Sequence, residues 1–389
     1  MKLFHISDLH IGKQLHYYNL KDNQIEILKQ IVDKAKEYRP DVIILAGDIY
    51  DKSVPSAEAY AIFDTFLIEL SEITPSIPVL MIAGNHDSAE RLNYASTFLE
   101  KHHIYISVLP PQAEDEYLKQ IILQDEHGVV TFYLLPFTKP GYVRHLFEEG
   151  EVNSYDAAIK ALIEREVIDY NGRNVLISHQ FYIAGDKHPE TCESEQAYIS
   201  VGGVDSVDVA SIKQFDYVAL GHLHGHQQIG EKHIRYSGTP LKYSVSEEKH
   251  VKSITMVTLG AKGEDIIIDK LSLSVRQDVR REQGSLGEII GRANDSNRND
   301  YVSITLTDES DLYKPKDQLE EHYNFILEVR VENSRTKAQM ENIIGEASVL
   351  EPLEAFCEFY QEMNNEPMNS EEEKLMAEII TMVKEAEHK

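Results

Sequence analysis

Asp8, His10, Asp48, Asn85, His179, His222 and His224 are of the residue types that hold a divalent cation through oxygen and imidazole nitrogen. Each stands at the carboxyl end of an apolar run. Leu3–Ser7 leads into Asp8 and His10, Val42–Ala46 into Gly47-Asp48-Ile49-Tyr50-Asp51, and Val79–Ala83 into Gly84-Asn85-His86-Asp87. Val175–Ser178 delivers His179, and Tyr217–Leu220 delivers Gly221-His222-Leu223-His224. Taken singly, an Asp can be a helix cap, an Asn a turn residue and a His a satisfied core residue. Five strand ends that all carry ligand types are not explained that way, and they point to a two-metal hydrolase. Imidazoles and oxygens without thiolate suit Mn²⁺, Fe²⁺ or Zn²⁺ better than an all-oxygen Ca²⁺ site. His226 extends the last run, and alternation along an extended chain would put His222, His224 and His226 on one side. The position of Gly221 favours the first two, leaving His226 exposed or behind the ligands.

Elements that could gather these residues alternate along the first half. Ile25, Leu28, Ile31, Val32 and Ala35 recur at helical spacing until Arg39-Pro40, and Ser56–Leu70 is a second helix. Val129–Leu135 reads as a strand, Tyr155–Ile168 as a helix and Ile254–Leu259 as a late strand. Such alternation builds sheets covered by helices, with ligands collected outside the carboxyl ends of the strands. Gly185–Val204 lacks periodicity and reads as a long loop. The character changes around Arg276–Arg281, which reads as a linker. A helix near Ser285–Ala293, a strand Tyr301–Thr307, a helix Lys316–His322 and a strand Phe325–Val331 then form a small α/β unit. The expected organisation is therefore an α/β core at 1–277, an α/β cap at 278–348 and a helix-loop-helix at 349–389.

That last segment carries eleven Glu against three Lys from Glu351 onward, yet keeps two apolar stripes. Phe356, Phe359, Tyr360 and Met363 form one, and Leu375, Ile379, Met382 and Val383 the other. Amphipathic helices at a terminus with exposed aromatics read as a docking element for another chain. Packing back onto the chain's own domain is the alternative.

The formal charge of −28 opposes a nucleic-acid substrate, which usually needs a basic footprint. Either the basic surface is confined to a patch or a partner supplies most of the grip. Only Cys192 and Cys357 are present, so no disulfide framework or thiolate cluster is expected. No apolar run approaches the roughly 20 residues of a membrane helix, and the chain starts straight into a strand without a signal-peptide layout. A reducing cytoplasm is the expected setting.

Asp-x-His, Gly-Asp-x-x-Asp, Gly-Asn-His-Asp, a lone His and Gly-His-x-His, in that order, resemble the calcineurin-like metallophosphoesterases. Ile6–Gly12 and Tyr236-Ser237-Gly238-Thr239-Pro240-Leu241-Lys242-Tyr243 further resemble the SbcD family, the nuclease subunits of bacterial SbcCD exonucleases. The resemblance covers about the first 280 residues by motif and the remainder by layout. It implies a layered core of central sheets flanked by helices. It also implies one metal on Asp8, His10, Asp48 and His224, and a second on Asp48, Asn85, His179 and His222. Asp48 would bridge them, because a carboxylate has two anionic oxygens to share. Two ions, Mn²⁺ by the resemblance, would activate a shared water for in-line attack on phosphorus. His86 would face the leaving oxygen and supply a proton or hydrogen bond, oriented by Asp51 or Asp87. The fourth residue of Gly-Asp-x-x-Asp is typically His in archaeal and eukaryotic relatives and is Asp51 here, so a second catalytic imidazole of that kind is absent.

The resemblance implies a Mn²⁺-dependent DNA nuclease working with an SbcC-type ATPase, in a heterotetramer built on a nuclease homodimer. Its expected actions are 3′→5′ exonuclease cleavage of duplex DNA, cutting of single strands and hairpin opening. A small-molecule or cyclic-nucleotide phosphodiesterase on the same scaffold is the second reading. A non-catalytic scaffold with structural metals is the third, and His86 argues against it, because a structural site needs no proton donor.

Overall fold

A computed structural model describes residues 1–196, 205–336, 352–364 and 366–387. Its centre is a pair of six-stranded sheets. One runs Ile267–Ser272, Ser253–Thr258, Lys2–Ile6, Val42–Ala46, Val79–Ile82 and Ile104–Ser107. The other runs Gln227–Gln228, Ile234–Tyr236, Tyr217–Leu220, Arg173–Ser178, Gly128–Leu135 and Lys119–Asp125. In the first, Lys2–Ile6, Val42–Ala46, Val79–Ile82 and Ile104–Ser107 are mutually parallel; in the second, Gly128–Leu135, Arg173–Ser178, Tyr217–Leu220 and Ile234–Tyr236 are.

The apolar runs read as strands because each is buried on both faces, and their alternation divides them between separate cores. Ile43, Leu45, Val79 and Met81 pack with Ile31 and Phe66 of the helices Lys21–Tyr38 and Ala57–Ser71. Val42, Ile44, Ala46, Leu80 and Ile82 pack instead against Val130, Phe132, Val175, Ile177 and Ala219 of the opposite sheet. On the far side, Tyr133, Leu176, Val218 and Leu220 pack with Ile159 and Leu162 of the helix Tyr155–Arg165. The result is four layers, helix-sheet-sheet-helix. Each sheet is covered by helices on one face only, its other face meeting the second sheet.

Local signals set the helix ends. Ser56 and Ser154 accept the Ala59 and Ala157 amides at 3.1 Å, capping two helices at their starts. Arg39, in the left-handed region at φ 49°, closes the first helix by donating its amide to Ala35 O, and Pro40 follows. Edge strands such as Lys119–Asp125, with alternating half-exposed residues, carried no comparable signal.

The chain divides into two compact units. The first comprises Met1–Glu282, Arg292–Ile304 and Asp317–Glu328, the second Gln283–Gly291, Thr305–Lys316 and Val329–Lys389. The stretch read as a linker runs into a strand at Val279–Gly284, whose Val279 is buried and Arg281 exposed, while half-buried Arg280 pairs with half-buried Glu282 at 2.8 Å. Helices Leu286–Arg292 and Pro315–Glu320 and strands Tyr301–Leu306 and Phe325–Val331 follow close to their expected places. The expected 348/349 boundary lies outside the described residues, as do 197–204 of the expected loop.

At the end of the chain, helices Pro352–Asn364 and Ser370–Glu387 are joined by a Tyr360–Glu372 hydrogen bond, and Cys357 of the first contacts Met368 in the connection between them. Phe359, Met363, Leu375 and Ile379 remain exposed. No helix among the described residues is long and apolar enough to cross a membrane.

Candidate metal centre

Three loops meet where the parallel strands end. The Asp8 and His10 amides donate to Gly47 O and Asp48 O at 3.0 Å, so the loops after Lys2–Ile6 and Val42–Ala46 run side by side. The third loop is tied in by Asp87, whose carboxylate accepts the amides of Ile49, Tyr50 and Gly84 at 3.1, 3.0 and 2.9 Å. Glycine is required where these segments touch. A Cβ at Gly84 would lie 2.1 Å from Asp48 Oδ1, and one at Gly221 would lie 1.9 Å from Ala46 O.

All seven candidate ligands lie at this junction, and Asp8, His10, Asp48, His179, His222 and His224 are buried. Asn85 Oδ1 is 3.1 Å from His179 Nε2 and 2.9 Å from His222 Nδ1, while His179 Nε2 is 3.3 Å from Asp48 Oδ2. A second convergence places His10 Nε2 3.2 Å from His224 Nε2 and 3.7 Å from the same Asp48 oxygen. Asp8 sits beside both, 3.9 Å from His179 Nε2, and accepts the His222 amide at 3.0 Å. Asp48 Oδ2 is thus shared by the two groups, while its Oδ1 accepts the His86 amide at 2.9 Å.

The donor set fits divalent cations. Two imidazole nitrogens face each other, His10 Nδ1 is buried without a hydrogen-bond partner, and carboxylates are crowded in a site cut off from water. Burial and the neighbouring Asp48 charge raise the Asp8 carboxyl to about 6, against the pull of His179. Asp87 is raised to about 6 by burial and Asp48. Burial disfavours the charged His179 imidazole, but Asp48 and Asp8 outweigh it and hold the ring up at about 9. These are the signs of excess buried negative charge, which a cation can take over from protons. Asp8, His10, Asp48 and His222 also take positive φ values of 54°, 43°, 50° and 101°. Such geometry costs about 1–3 kcal/mol each and clusters at functional sites.

Positive φ at His222 removes the premise of alternation, since residues 221–226 are not a strand. His226 accordingly leaves the cluster. Its Nε2 accepts from Arg235 at 2.8 Å and its Nδ1 contacts Thr255 Oγ1 at 3.1 Å. His86 is half-buried with its ring 4.8 Å from that of His10 and its Nε2 3.9 Å from Asp48 Oδ2. Neither expected carboxylate orients it. The Asp51 backbone carbonyl accepts from its Nδ1 at 2.8 Å, whereas the Asp51 carboxylate pairs with Lys13 and that of Asp87 holds backbone amides.

Behind the candidate ligands stand further polar residues. Ser7 donates to Asp8 and bonds Ser237 at 2.7 Å, and Ser194, Glu195 and Glu247 surround His224. Ser7, within Ile6–Gly12, and Ser237, within Tyr236–Tyr243, lie in segments that stand out in the sequence, Ser194 and Glu195 lie in the stretch read as a loop, and Glu247 carries no such signal.

The calcineurin-like phosphoesterase family matches residues 1–226, and a family described as the type 5 capsule protein repressor C-terminal domain matches residues 275–364. The D subunit of the nuclease SbcCD from Staphylococcus epidermidis is 34% identical over 331 residues, 84% of each chain. Its counterpart from Staphylococcus saprophyticus is 30% identical over 390 residues, 99% of each chain. Among solved structures, a dimetal phosphatase from Danio rerio overlaps 71% of this chain and 98% of that one, at 13% identity and a TM-score of 0.38.

Proposed function

The chain belongs to the SbcD family of SbcCD nuclease subunits, within the calcineurin-like phosphoesterases, and from that membership we propose that it is a Mn²⁺-dependent DNA nuclease acting with an SbcC-type ATPase. Phosphoester hydrolysis and a need for divalent cations come with the family. The reading is carried by one observation, the convergence of two ligand groups on Asp48 Oδ2. Asp8, His10, Asp48 and His224 would hold one ion, and Asp48, Asn85, His179 and His222 the other. When bound, the two ions supply an acidified water and neutralise charge that builds on phosphate oxygens. The chain's own residues do the rest. Asp48 keeps the two ligand groups in register, and the Asp51 carbonyl fixes a proton on His86 Nδ1, so that Nε2 is the atom that exchanges a proton with the leaving oxygen.

We assign 3′→5′ exonuclease action on duplex DNA, single-strand cutting and hairpin opening to this site, in the cytoplasm. The test is digestion of 3′-labelled duplex and hairpin DNA with Mn²⁺, beside bis(p-nitrophenyl) phosphate and a cyclic nucleotide. Degradation of both DNAs is expected. Turnover of the small diesters with intact DNA would support the small-molecule phosphodiesterase instead.

With a net charge of −28, the chain leaves much of the DNA grip to its partner. The helix pair Pro352–Asn364 and Ser370–Glu387 would dock on the ATPase through Phe356, Phe359, Tyr360 and Leu375; Phe359 and Leu375 are exposed, with Met363 and Ile379 beside them, while Phe356 and Tyr360 are half-buried. Deletion of residues 351–389 should abolish co-purification of the ATPase while Mn²⁺-dependent cleavage of a small diester persists; unchanged co-purification would refute the docking. Homodimerisation, within a heterotetramer, would use an apolar groove of about 670 Å³ lined by Phe63, Leu67, Tyr94 and Phe98. Tyr94 and Phe98 are 83% and 61% exposed, and aromatic surface left open beside a groove is the kind that a partner covers. A Tyr94→Glu/Phe98→Glu variant should sediment as a monomer where the wild type is a dimer, and a variant that still pairs would remove this face from the interface.

A further inference from the structure

His224 is gripped from the side away from His10 by a buried polar chain. Its Nδ1 lies 2.8 Å from Ser194 Oγ and 3.3 Å from Glu247 Oε1, and Ser194 Oγ donates to that same oxygen at 3.1 Å. Glu247 is fully buried, and its Oε2 is 2.6 Å from Lys252 Nζ, which also donates to His224 O at 3.0 Å and to Thr239 Oγ1 at 2.6 Å. The Tyr243 amide at 3.1 Å and Ser244 Oγ at 3.2 Å complete the shell of Oε1. The Lys252 ammonium and the Glu247 carboxylate thus form a buried ion pair, and each of these groups around the two carboxylate oxygens is one that can donate to them.

The proton positions follow from donor counts. An ionised carboxylate only accepts, so the single hydroxyl proton of Ser194 points at Glu247. The serine then offers a lone pair to His224, and Nδ1 must carry the ring proton, whether it bonds Ser194, Glu247 or both. Nε2 is left with the lone pair, and it is Nε2 that faces His10 at 3.2 Å. We propose that Glu247, ion-paired with Lys252 and bridged by Ser194, is a positioning residue that locks His224 in the tautomer and orientation needed to bind metal. A carboxylate behind a ligating histidine raises its basicity and holds its ring, and loss of such a partner typically costs roughly 10–100-fold in metal affinity. The inference rests on the assignment of His224 as a ligand made above. It adds a residue 23 positions away that no spacing rule connects to it.

The test uses the full chain carrying E247Q, which keeps the side chain's size. Because that change strands the buried Lys252 ammonium, the double variant E247Q/K252M, which removes both charges, is measured beside it. Free Mn²⁺ is followed by electron paramagnetic resonance during titration, and ¹⁵N spectra of labelled histidines are recorded on the metal-free protein. The wild type should bind two ions and show, among its histidines protonated on Nδ1, one fixed Nδ1–H signal that is lost in His224→Gln. The variants should fold, weaken one site roughly 10–100-fold and leave the other within about twofold. They should also turn that histidine into a tautomer mixture. Folded variants with both affinities and the ¹⁵N pattern unchanged would overturn the proposal. Loss of folding in both variants would assign the network to the fold and overturn it equally. Fewer than two ions on the wild type would instead count against the metal centre itself.

Discussion

Asp48→Asn is expected to leave a folded protein that has lost at least one of two Mn²⁺ equivalents and at least about 10³-fold in phosphodiester cleavage, the upper range for a single electrostatic contributor. The size of the effect follows from sharing. One oxygen of Asp48 lies 3.3 Å from His179 and 3.7 Å from His10, so both ligand groups depend on it. Burial pushes this carboxyl up, yet the imidazoles of His179, His86 and His10 hold it well below its usual range, and it remains an anion in the metal-free protein. An amide at this position has one neutral oxygen and no charge to divide between two cations. Folding should survive, because the amide can still accept the His86 amide that Asp48 Oδ1 holds at 2.9 Å. Metal analysis after desalting, together with circular dichroism, gives the measurement. Two retained equivalents with near wild-type cleavage would remove Asp48 from the bridging position.

Much of this centre was legible because its positions obey local rules. The runs Val42–Ala46, Val79–Ile82 and Tyr217–Leu220 are apolar on both faces because they lie between a second sheet and a helix layer. Their ligand-type residues follow at once, so strand and ligand could be read together. Reading failed where geometry comes from elsewhere in the chain. Period-two alternation could not separate His222, His224 and His226, since it presumes an extended backbone and His222 has φ 101°. Arg235, nine residues beyond His226, draws that ring away. Similarly, Asp51 and Asp87 were the chemically natural partners for His86, but the interacting atom is a main-chain carbonyl, which every residue possesses and no sequence advertises.

The same limit explains the unread support for His224. Ser194 and Glu247 sit 30 and 23 residues from it and meet only because the chain closes back around the strand end Tyr217–Leu220. Of the many histidines in the chain, His5 shows how an incidental one differs from a proposed ligand. It is fully buried between the sheets, with one ring nitrogen satisfied by the Tyr217 hydroxyl at 2.8 Å and the other by Leu220 O at 3.1 Å. His10, as buried, keeps an unsatisfied Nδ1 and a second nitrogen facing another imidazole. Burial alone does not single out a candidate ligand; in His10 it is joined by an unsatisfied nitrogen and by convergence with His224 and Asp48.

His86→Ala should separate proton transfer from metal binding. His86 lies close enough to His10 and Asp48 to be a third ligand of that group, so its role as a proton donor has to be distinguished from coordination. Nδ1 donates to the Asp51 carbonyl and the main chain is fixed by the backbone amide on Asp48, so Nε2 is the ring nitrogen proposed to act on a leaving group. The variant is therefore expected to keep both Mn²⁺ equivalents and lose about 10²–10⁴-fold in kcat on DNA, whose leaving alkoxide needs a proton. Bis(p-nitrophenyl) phosphate has a leaving group stable as an anion near neutral pH, so its cleavage should fall far less. A ligand role predicts the opposite pattern: one ion lost, and both substrates slowed to a similar degree. The ratio of the two losses, read beside the metal count, decides between these roles in a way that activity on DNA alone does not.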